Sequence, residues 1–425
     1  MELELNQGLD GESTASADLS NLFAVAVFSI LVSLWIGRLT GWHPWGFATQ
    51  SNVFPFVDLT GRISNLNQLF EFGNIYKVFD YLAFTYPPSA IIFFYPLHYL
   101  SIAATYWMWA LASLVGLSIA NLKFLKISGQ LQKKRSWITA ILILGLGVIF
   151  FPAIYECLDL GQTGLVLLGL TMYDFNSVGR GRGIATGLAA AIKIYPAYFM
   201  IPFLIKKDWR ALANFAVTFI AVNLVSYALW RPSFSYFVSK VVLGGKELTQ
   251  LTSGPKAHAN SSLISILLIG PQRTFFLQHR VLLVLLEIAL ALAFTFGVWR
   301  VGKQQRPISM AIVLGLGAAM VAPVAWDHYF AIAFFAPLVL TEISIKSWPG
   351  RVVALSSLGL YVPWWRMRYG KDTLPISRYI HTVGATGTFF FCLLMALALM
   401  FSPDQKNFQS TTHLGIANVE VDSPS

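Results

Sequence analysis

The sequence predicts an all-α, polytopic membrane protein, and three observations carry that. The chain is 56% hydrophobic with 12% charged residues, roughly half the charge share of an ordinary soluble domain. Its mean hydropathy is +0.62. Apolar runs recur along most of its 425 residues, many near the length of about 20 residues that one helical crossing needs.

Those runs fall at about 20–37, 101–122, 137–155, 184–205, 211–230, 281–299, 308–325, 329–345, 352–363 and 379–401, with shorter ones at 84–100, 162–173 and 260–270. The short ones are expected to be tilted, broken or re-entrant. Residues 1–19 form an acidic N-terminal segment (Glu2, Glu4, Asp10, Glu12, Asp18) without Lys or Arg. A cleaved signal peptide starts with positive charge, so the first apolar run is expected to stay in the protein. The membrane domain is then 20–401, and 402–425 is a polar tail expected to be disordered. Cys157 and Cys392 lie in or beside apolar runs and read as buried thiols without a disulfide.

The net charge of +10 gathers at the ends of the runs. That is the pattern selected by membrane topology and anionic lipid, and it calls for no nucleic acid. Three clusters are assigned to the cytoplasmic side: Lys123/Lys126/Lys133/Lys134/Arg135, Lys206/Lys207/Arg210 and Arg300/Lys303/Arg306. Between the first two, counting 184–205 as one span gives an odd number of crossings. The conflict disappears if 184–205 is two half-helices meeting at Lys193-Ile194-Tyr195-Pro196, where proline interrupts the hydrogen-bond ladder. The run 84–122, with Pro87, Pro88 and Pro96, raises the same problem. Broken helices at membrane depth are tolerated where they line a cavity or pack in protein. Both anomalies therefore point to one outward-facing cavity. No internal repeat is visible.

The longest connection among the first runs, 38–83, is expected to be the first outer loop and to contain short interfacial helices, because a structureless loop of that length is uncommon. It is rich in Trp and Phe. Asp58 lies in its middle, in Phe54-Pro55-Phe56-Val57-Asp58. Two readings stand for it: a hydrated loop carboxylate, or an acid whose apolar neighbours raise its pKa towards that of a general base. A second outer connection, 231–260, ends in His258, Asn260 and Ser261, either loop caps or ligands.

The other chemistry-bearing groups are scattered. Tyr86-Pro87-Pro88 is a rigid helix entry. Gly161-Gln162 follows Glu156 and Asp159 and reads either as a helix-end hydrogen bond or as a site element. Lys193 is more informative, lying about ten residues from either end of its apolar run, where a buried ammonium marks a functional site; a phosphate would suit it. Trp326-Asp327-His328 sits where two helices meet, as a structural cap or as a sugar site with the indole stacked on a pyranose. Arg366, Arg368, Lys371 and Arg378 form a basic loop assigned to the outer side, against the usual charge bias. No G-x-S-x-G, H-E-x-x-H or Walker lysine loop occurs, and no D-x-D that would hold a nucleotide sugar through a metal.

Taken in order, these pieces resemble glycosyltransferase family 87, membrane enzymes of the GT-C superfamily that use polyprenyl-phosphate sugars. The matching segments are Asp58, Asn74 to Tyr76, Phe84 to Pro88, Gly161-Gln162, Ala191 to Pro196 followed by Lys206 to Arg210, Asn260 to Ser262, and Pro323 to His328. The Trp-Asp-His ending looks most like the mycobacterial and corynebacterial α-(1→2)-mannosyltransferases of that family. Three departures stand out: Leu59-Thr60-Gly61-Arg62 after the acid, Gly161-Gln162-Thr163-Gly164, and Asn260-Ser261-Ser262.

The resemblance implies a GT-C-type helical bundle with its active site on the outer, extracytoplasmic face of the cell membrane. It implies a polyprenyl-phosphate mannose donor, a glycolipid or lipoglycan acceptor and an inverting displacement. Asp58 would be the general base. Lys193, His328 and Arg378 would hold the donor phosphate, and Tyr86, Gln162, Tyr195, His258, Asn260, Trp326 and Asp327 would shape the sugar and acceptor sites. A lipid phosphate leaves without a nucleotide, so neither metal nor cofactor is demanded. Two alternatives stay open: a polyprenyl-phosphate-arabinose-dependent arabinofuranosyltransferase, and, from another class, a polyprenyl-lipid transporter or flippase. The long loop with its acid favours an enzyme.

Overall fold

The computed structural model describes residues 57–76, 84, 86–129, 131, 136–242, 262–268, 273–322, 324–360 and 376–403. Every regular element among them is helical, so the fold is all-α. The main helices are α1 (Val57–Phe72), α2 (Ile102–Ile127), α3 (Ser136–Phe150), α4 (Pro152–Asp159), α5 (Gly164–Asp174), α6 (Ile184–Ile192), α7 (Trp209–Leu229), α8 (Arg280–Lys303), α9 (Pro307–Val321), α10 (Trp348–Leu360) and α11 (Ile376–Met400).

Among the described residues three segments, Ile102–Ile127, Trp209–Leu229 and Val281–Lys303, are long and apolar enough to cross a membrane. Large apolar side chains on them stay exposed in the isolated chain, among them Trp107, Val217, Leu224, Val281 and Leu292. Such a surface belongs against lipid. Local chemistry sets where these helices start. Ser101 caps α2 by accepting from the Ala104 amide at 3.2 Å, and Asp208 caps α7 by accepting from Ala211 at 3.0 Å. Each satisfies an amide that the first turn leaves unpaired.

Helix α9 is the centre of the bundle. All of its residues from Ile308 to Met320 are buried, as a helix apolar on every face must be. Its N-terminus is closed from outside. The Glu342 carboxylate accepts from the Ile308 amide at 2.7 Å, the Ser309 amide at 2.8 Å and the Ser309 hydroxyl at 2.7 Å. That brings the far end of the next apolar stretch, Asp327–Thr341, back to the start of α9, so the two run antiparallel. This stretch is two helical pieces with 3-10 winding, kinked at Phe330 (φ −89°, ψ 15°), with Pro337 in the second. Helices α2 and α5 cross closely through Gly116 and Gly169, where a Cβ on either would run into the other helix's backbone. Small residues at such crossings are the usual device in membrane bundles.

The expected break in 184–205 is present. Helix α6 ends at Ile192, Lys193 is extended (φ −150°, ψ 136°), and a 3-10 stretch, Tyr195–Met200, begins beyond it. Both arms return to one end of the bundle. There the Lys206 ammonium donates to Asn176 at 3.2 Å and Arg182 pairs with Asp208 at 2.8 Å, and the Lys123 ammonium at the end of α2 donates to Ser177 at 2.6 Å. The run 84–122 is divided as well, into short turns over 88–99 and then α2.

Two details differ from the sequence reading, and a third, a helix within the first long connection, agrees with it. The run 137–155 is not one helix but α3 and α4, parted at Phe151 because Pro152 starts a new helix. The connection 231–260 begins as helix, Arg231–Tyr236 followed by a π-helical turn, Phe237–Val242. Within the first long connection, 57–72 is a single 16-residue helix. Cys157 and Cys392 are buried free thiols.

Candidate active site

Lys193 is placed by the broken helix. Its amide still donates to Ala189 at 3.0 Å, but Pro196 cannot continue the ladder and the chain turns outward from α6. The side chain is 8% exposed and ends among three aromatic rings. The ammonium lies 3.9 Å from the centre of Tyr329, 5.0 Å from Tyr86 and 5.9 Å from Tyr195. Tyr195 and Tyr329 stack at 4.7 Å and 24°. Ring faces attract a cation without cancelling its charge.

Tyr86 is fixed at both ends. Its carbonyl accepts from the Tyr76 hydroxyl at 2.6 Å. Its own hydroxyl donates to Gln162 Oε1 at 3.3 Å and stands 3.3 Å from Thr163 Oγ1. The Gly161-Gln162 turn has a clear local cause. Gly161 has φ +67°, the Gln162 amide donates to Cys157 at 2.8 Å and the Gly161 amide to Leu158 at 3.4 Å. This is a Schellman end to α4, in which glycine takes the left-handed position. Gly161 ends the helix, and Gln162 is thereby aimed at Tyr86.

The same turn receives the first long connection. The Leu59 amide, in the first turn of α1, donates to the Leu160 carbonyl at 3.3 Å, satisfying one of the free amides of a helix start. Asp58 is therefore one residue from a backbone bond to the Leu160-Gly161-Gln162 turn. Three motifs far apart in the chain, around Asp58, Gly161-Gln162 and Lys193, meet through this turn and Tyr86.

His328 comes in from the other side. It is 2% exposed, and its carbonyl accepts from Cys157 Sγ at 3.5 Å. Nδ1 is 3.9 Å from Glu156 Oε1. Gly164 leaves no slack there, since a Cβ would approach Cys157 Sγ to 2.8 Å and the His328 carbonyl to 3.1 Å. Asp159, one turn along α4 from Glu156, is also buried. Burial, with Glu156 beside it, pushes its carboxyl up to about 7. Trp326 is half-buried just before this segment, its carbonyl accepting from the Tyr329 amide at 2.9 Å.

The structure thus brings Tyr86, Gln162, Lys193 and Tyr195 together, with His328 and Trp326 on the neighbouring segment. For Asp58, Asp327 and Arg378 it gives the helical backbone alone: the first turn of α1, the start of the 3-10 stretch and the first turn of α11. His258 and Asn260 lie outside the described residues, as do Arg366, Arg368 and Lys371. Among the described residues no three His, Cys, Asp or Glu side chains gather as metal ligands would. Tyr329, Thr163, Glu156 and Asp159 join the site without having been singled out as site residues in the sequence. The one available signal was adjacency: Tyr329 follows His328, Thr163 follows Gln162, and the two acids precede the glycine.

A caged cation, a carboxamide and two acids meet here in an all-helical membrane bundle, the setting of a membrane enzyme. The chain matches glycosyltransferase family 87 over residues 84–323, more than half its length, and belongs to that family. It is 27% identical to a Mycobacterium tuberculosis protein named polyprenol-phosphate-mannose-dependent alpha-(1-2)-phosphatidylinositol mannoside mannosyltransferase, over 66% of each chain. A Mycolicibacterium smegmatis protein of the same name is 25% identical over 97% of this chain and 96% of its own. A second M. smegmatis protein, named for a pentamannoside acceptor, is 26% identical over 77% of each. No solved structure matches the chain.

Proposed function

We propose that this family 87 glycosyltransferase moves a mannosyl residue from polyprenyl-phosphate mannose to a glycolipid or lipoglycan on the outer face of the membrane. A phosphatidylinositol mannoside, named for the relatives, is the acceptor class of choice. The observation that carries this is the meeting of the Asp58 helix with the Gly161-Gln162 turn, which Tyr86 links to the cage of Lys193. A base and a phosphate-binding cation are what a lipid-phosphate sugar transferase needs in one place.

Asp58 takes the proton of the acceptor hydroxyl as its oxygen bonds to the anomeric carbon from the face opposite the phosphate. The bond from that carbon to the phosphate oxygen breaks, its electron pair leaves with the lipid phosphate, and the configuration inverts. Negative charge collects on the leaving phosphate, and Lys193 is there to balance it, with His328 and Arg378 in support. Gln162 and Trp326 bound the sugar. Asp327, His258 and Asn260 complete the proposed sugar and acceptor site.

The test is a donor panel. Purified protein in lipid is given radiolabelled polyprenyl-phosphate mannose or polyprenyl-phosphate arabinose, together with phosphatidylinositol mannosides. Label transferred from the mannose donor with an α-linked product is expected. Transfer from the arabinose donor alone would overturn the choice of sugar, and transfer from neither would overturn the enzyme.

A further inference from the structure

The turn that ends α5 draws two ammoniums onto neighbouring, uncharged side chains. Lys123, at the end of α2, donates to Ser177 Oγ at 2.6 Å, and Lys206, from the far arm of the broken helix, donates to Asn176 Oδ1 at 3.2 Å. Arg182 lies close enough to repel both. The acids at this end are already used. Asp208 pairs with Arg182 at 2.8 Å and caps α7 through the Ala211 amide, and the buried Asp174 accepts from the Thr186 amide at 2.7 Å. Burial and the Arg182 guanidinium lower the pKa of Lys206 in spite of Asp208. Basic residues at helix ends serve topology wherever they point, but nothing in that rule brings two of them from distant segments onto adjacent residues. The surroundings hold the arrangement in place: Asn214 Nδ2 donates to the Arg180 and Arg182 carbonyls at 2.8 Å each, and the Ser177 amide donates to the Asp174 carbonyl at 3.2 Å. Beside the ammoniums the surface is apolar. Val178 is 99% exposed, and Ile184 and Trp209 are exposed with it. At the end of a membrane bundle, cations next to exposed apolar side chains fit the boundary between headgroups and acyl chains.

We propose that the Asn176-Ser177-Val178 turn is a binding site for an anionic phospholipid: Lys123 and Lys206 hold the headgroup phosphate, and Val178 dips into the acyl boundary beside it. The site lies at the other end of α5 from the Gln162 turn, apart from the proposed active site, and it does not depend on the choice of sugar donor.

The test uses full-length protein in phosphatidylcholine nanodiscs carrying increasing fractions of phosphatidylglycerol. Lipid kept on the released protein is quantified by native mass spectrometry, with thermal unfolding measured beside it. Wild type should keep phosphatidylglycerol in preference to phosphatidylcholine. Lys123→Gln combined with Lys206→Gln should weaken this by about thirtyfold, the usual worth of two basic residues at an anionic surface. Lys346→Gln combined with Arg351→Gln removes the same charge at two exposed positions elsewhere and should stay within about twofold of wild type. Equal weakening by the two pairs would overturn a site in favour of diffuse charge, and a wild type without preference would overturn it outright. Soluble glycerol 3-phosphate binding as tightly as phosphatidylglycerol would show a site for free phosphate and overturn the lipid. Should the double variant unfold, Val178→Asp decides. It changes a fully exposed side chain and sets a repelling charge beside the phosphate, so wild-type affinity in V178D overturns the proposal.

Discussion

Replacing Lys193 with Met removes the charge while keeping a flexible side chain of similar reach. The ammonium it removes is 8% exposed and 3.9 Å from the nearest ring centre, so solvent screens it little. At an effective dielectric of about 20, a unit charge about 4 Å from a phosphate oxygen contributes on the order of 4 kcal/mol. Removing a single preorganised charge-stabilising group lowers kcat by about 10²–10³, and the same scale is expected for K193M. Initial rates of mannosyl transfer in proteoliposomes measure it. Lys193→Arg keeps the charge but places a planar fork among rings fitted to a compact ammonium, and should fall between the two. Transfer by K193M within about threefold of wild type would refute the role of this cation, because a lost transition-state contact must appear in kcat/KM.

Other consequences can be checked on stability. Asp159 keeps its proton in the folded chain up to about 7, against an ordinary value of 3.8. Folding is therefore favoured most below that ordinary value, and the contribution fades as pH rises towards 7. Asp159→Asn should flatten this slope in thermal unfolding measured across the range, and an unchanged slope would show that another group carries it. Gly169→Ala places a Cβ on the backbone of Gly116 and should destabilise by about 1–3 kcal/mol, the usual penalty of overpacking. Gly145→Ala meets nothing within 4 Å and should instead stabilise by up to about 1 kcal/mol, as alanine does in a helix interior. Equal effects at the two glycines would show that the α2–α5 crossing is looser than its geometry.

Much of the architecture was legible because membrane depth punishes ambiguity. Apolar runs and the basic residues at their ends were enough to require that 184–205 go in and return. The extended Lys193, with Asn176 and Lys206 joined at one end, is that return. Pro152 was harder to read. Proline in a first turn and proline as a breaker look alike until the residue before it is seen to be extended, as Phe151 is. The 3-10 winding of Asp327–Thr341 left no mark in an apolar run. Within the site, Lys193, Tyr86 and Gln162 were legible because each is a polar group or rigid turn in apolar sequence. Tyr329 was not, because an aromatic residue in a membrane helix is ordinary and its meaning comes only from a cation on another segment. Glu156 and Asp159 looked like the polar end of a helix, which they are. The approach of Glu156 to His328 is a fact of packing.

Asp58→Asn tests the proposed chemistry most directly, since it keeps size and hydrogen-bonding capacity while removing the base. Wild type and variant are compared in lipid for mannosyl transfer from radiolabelled polyprenyl-phosphate mannose, with donor binding measured on the same samples. Transfer should fall by about 10²–10⁴ while donor binding stays at the wild-type level. Equal transfer by both proteins would contradict Asp58 as the base and return the search for it to Glu156 and Asp159 of α4.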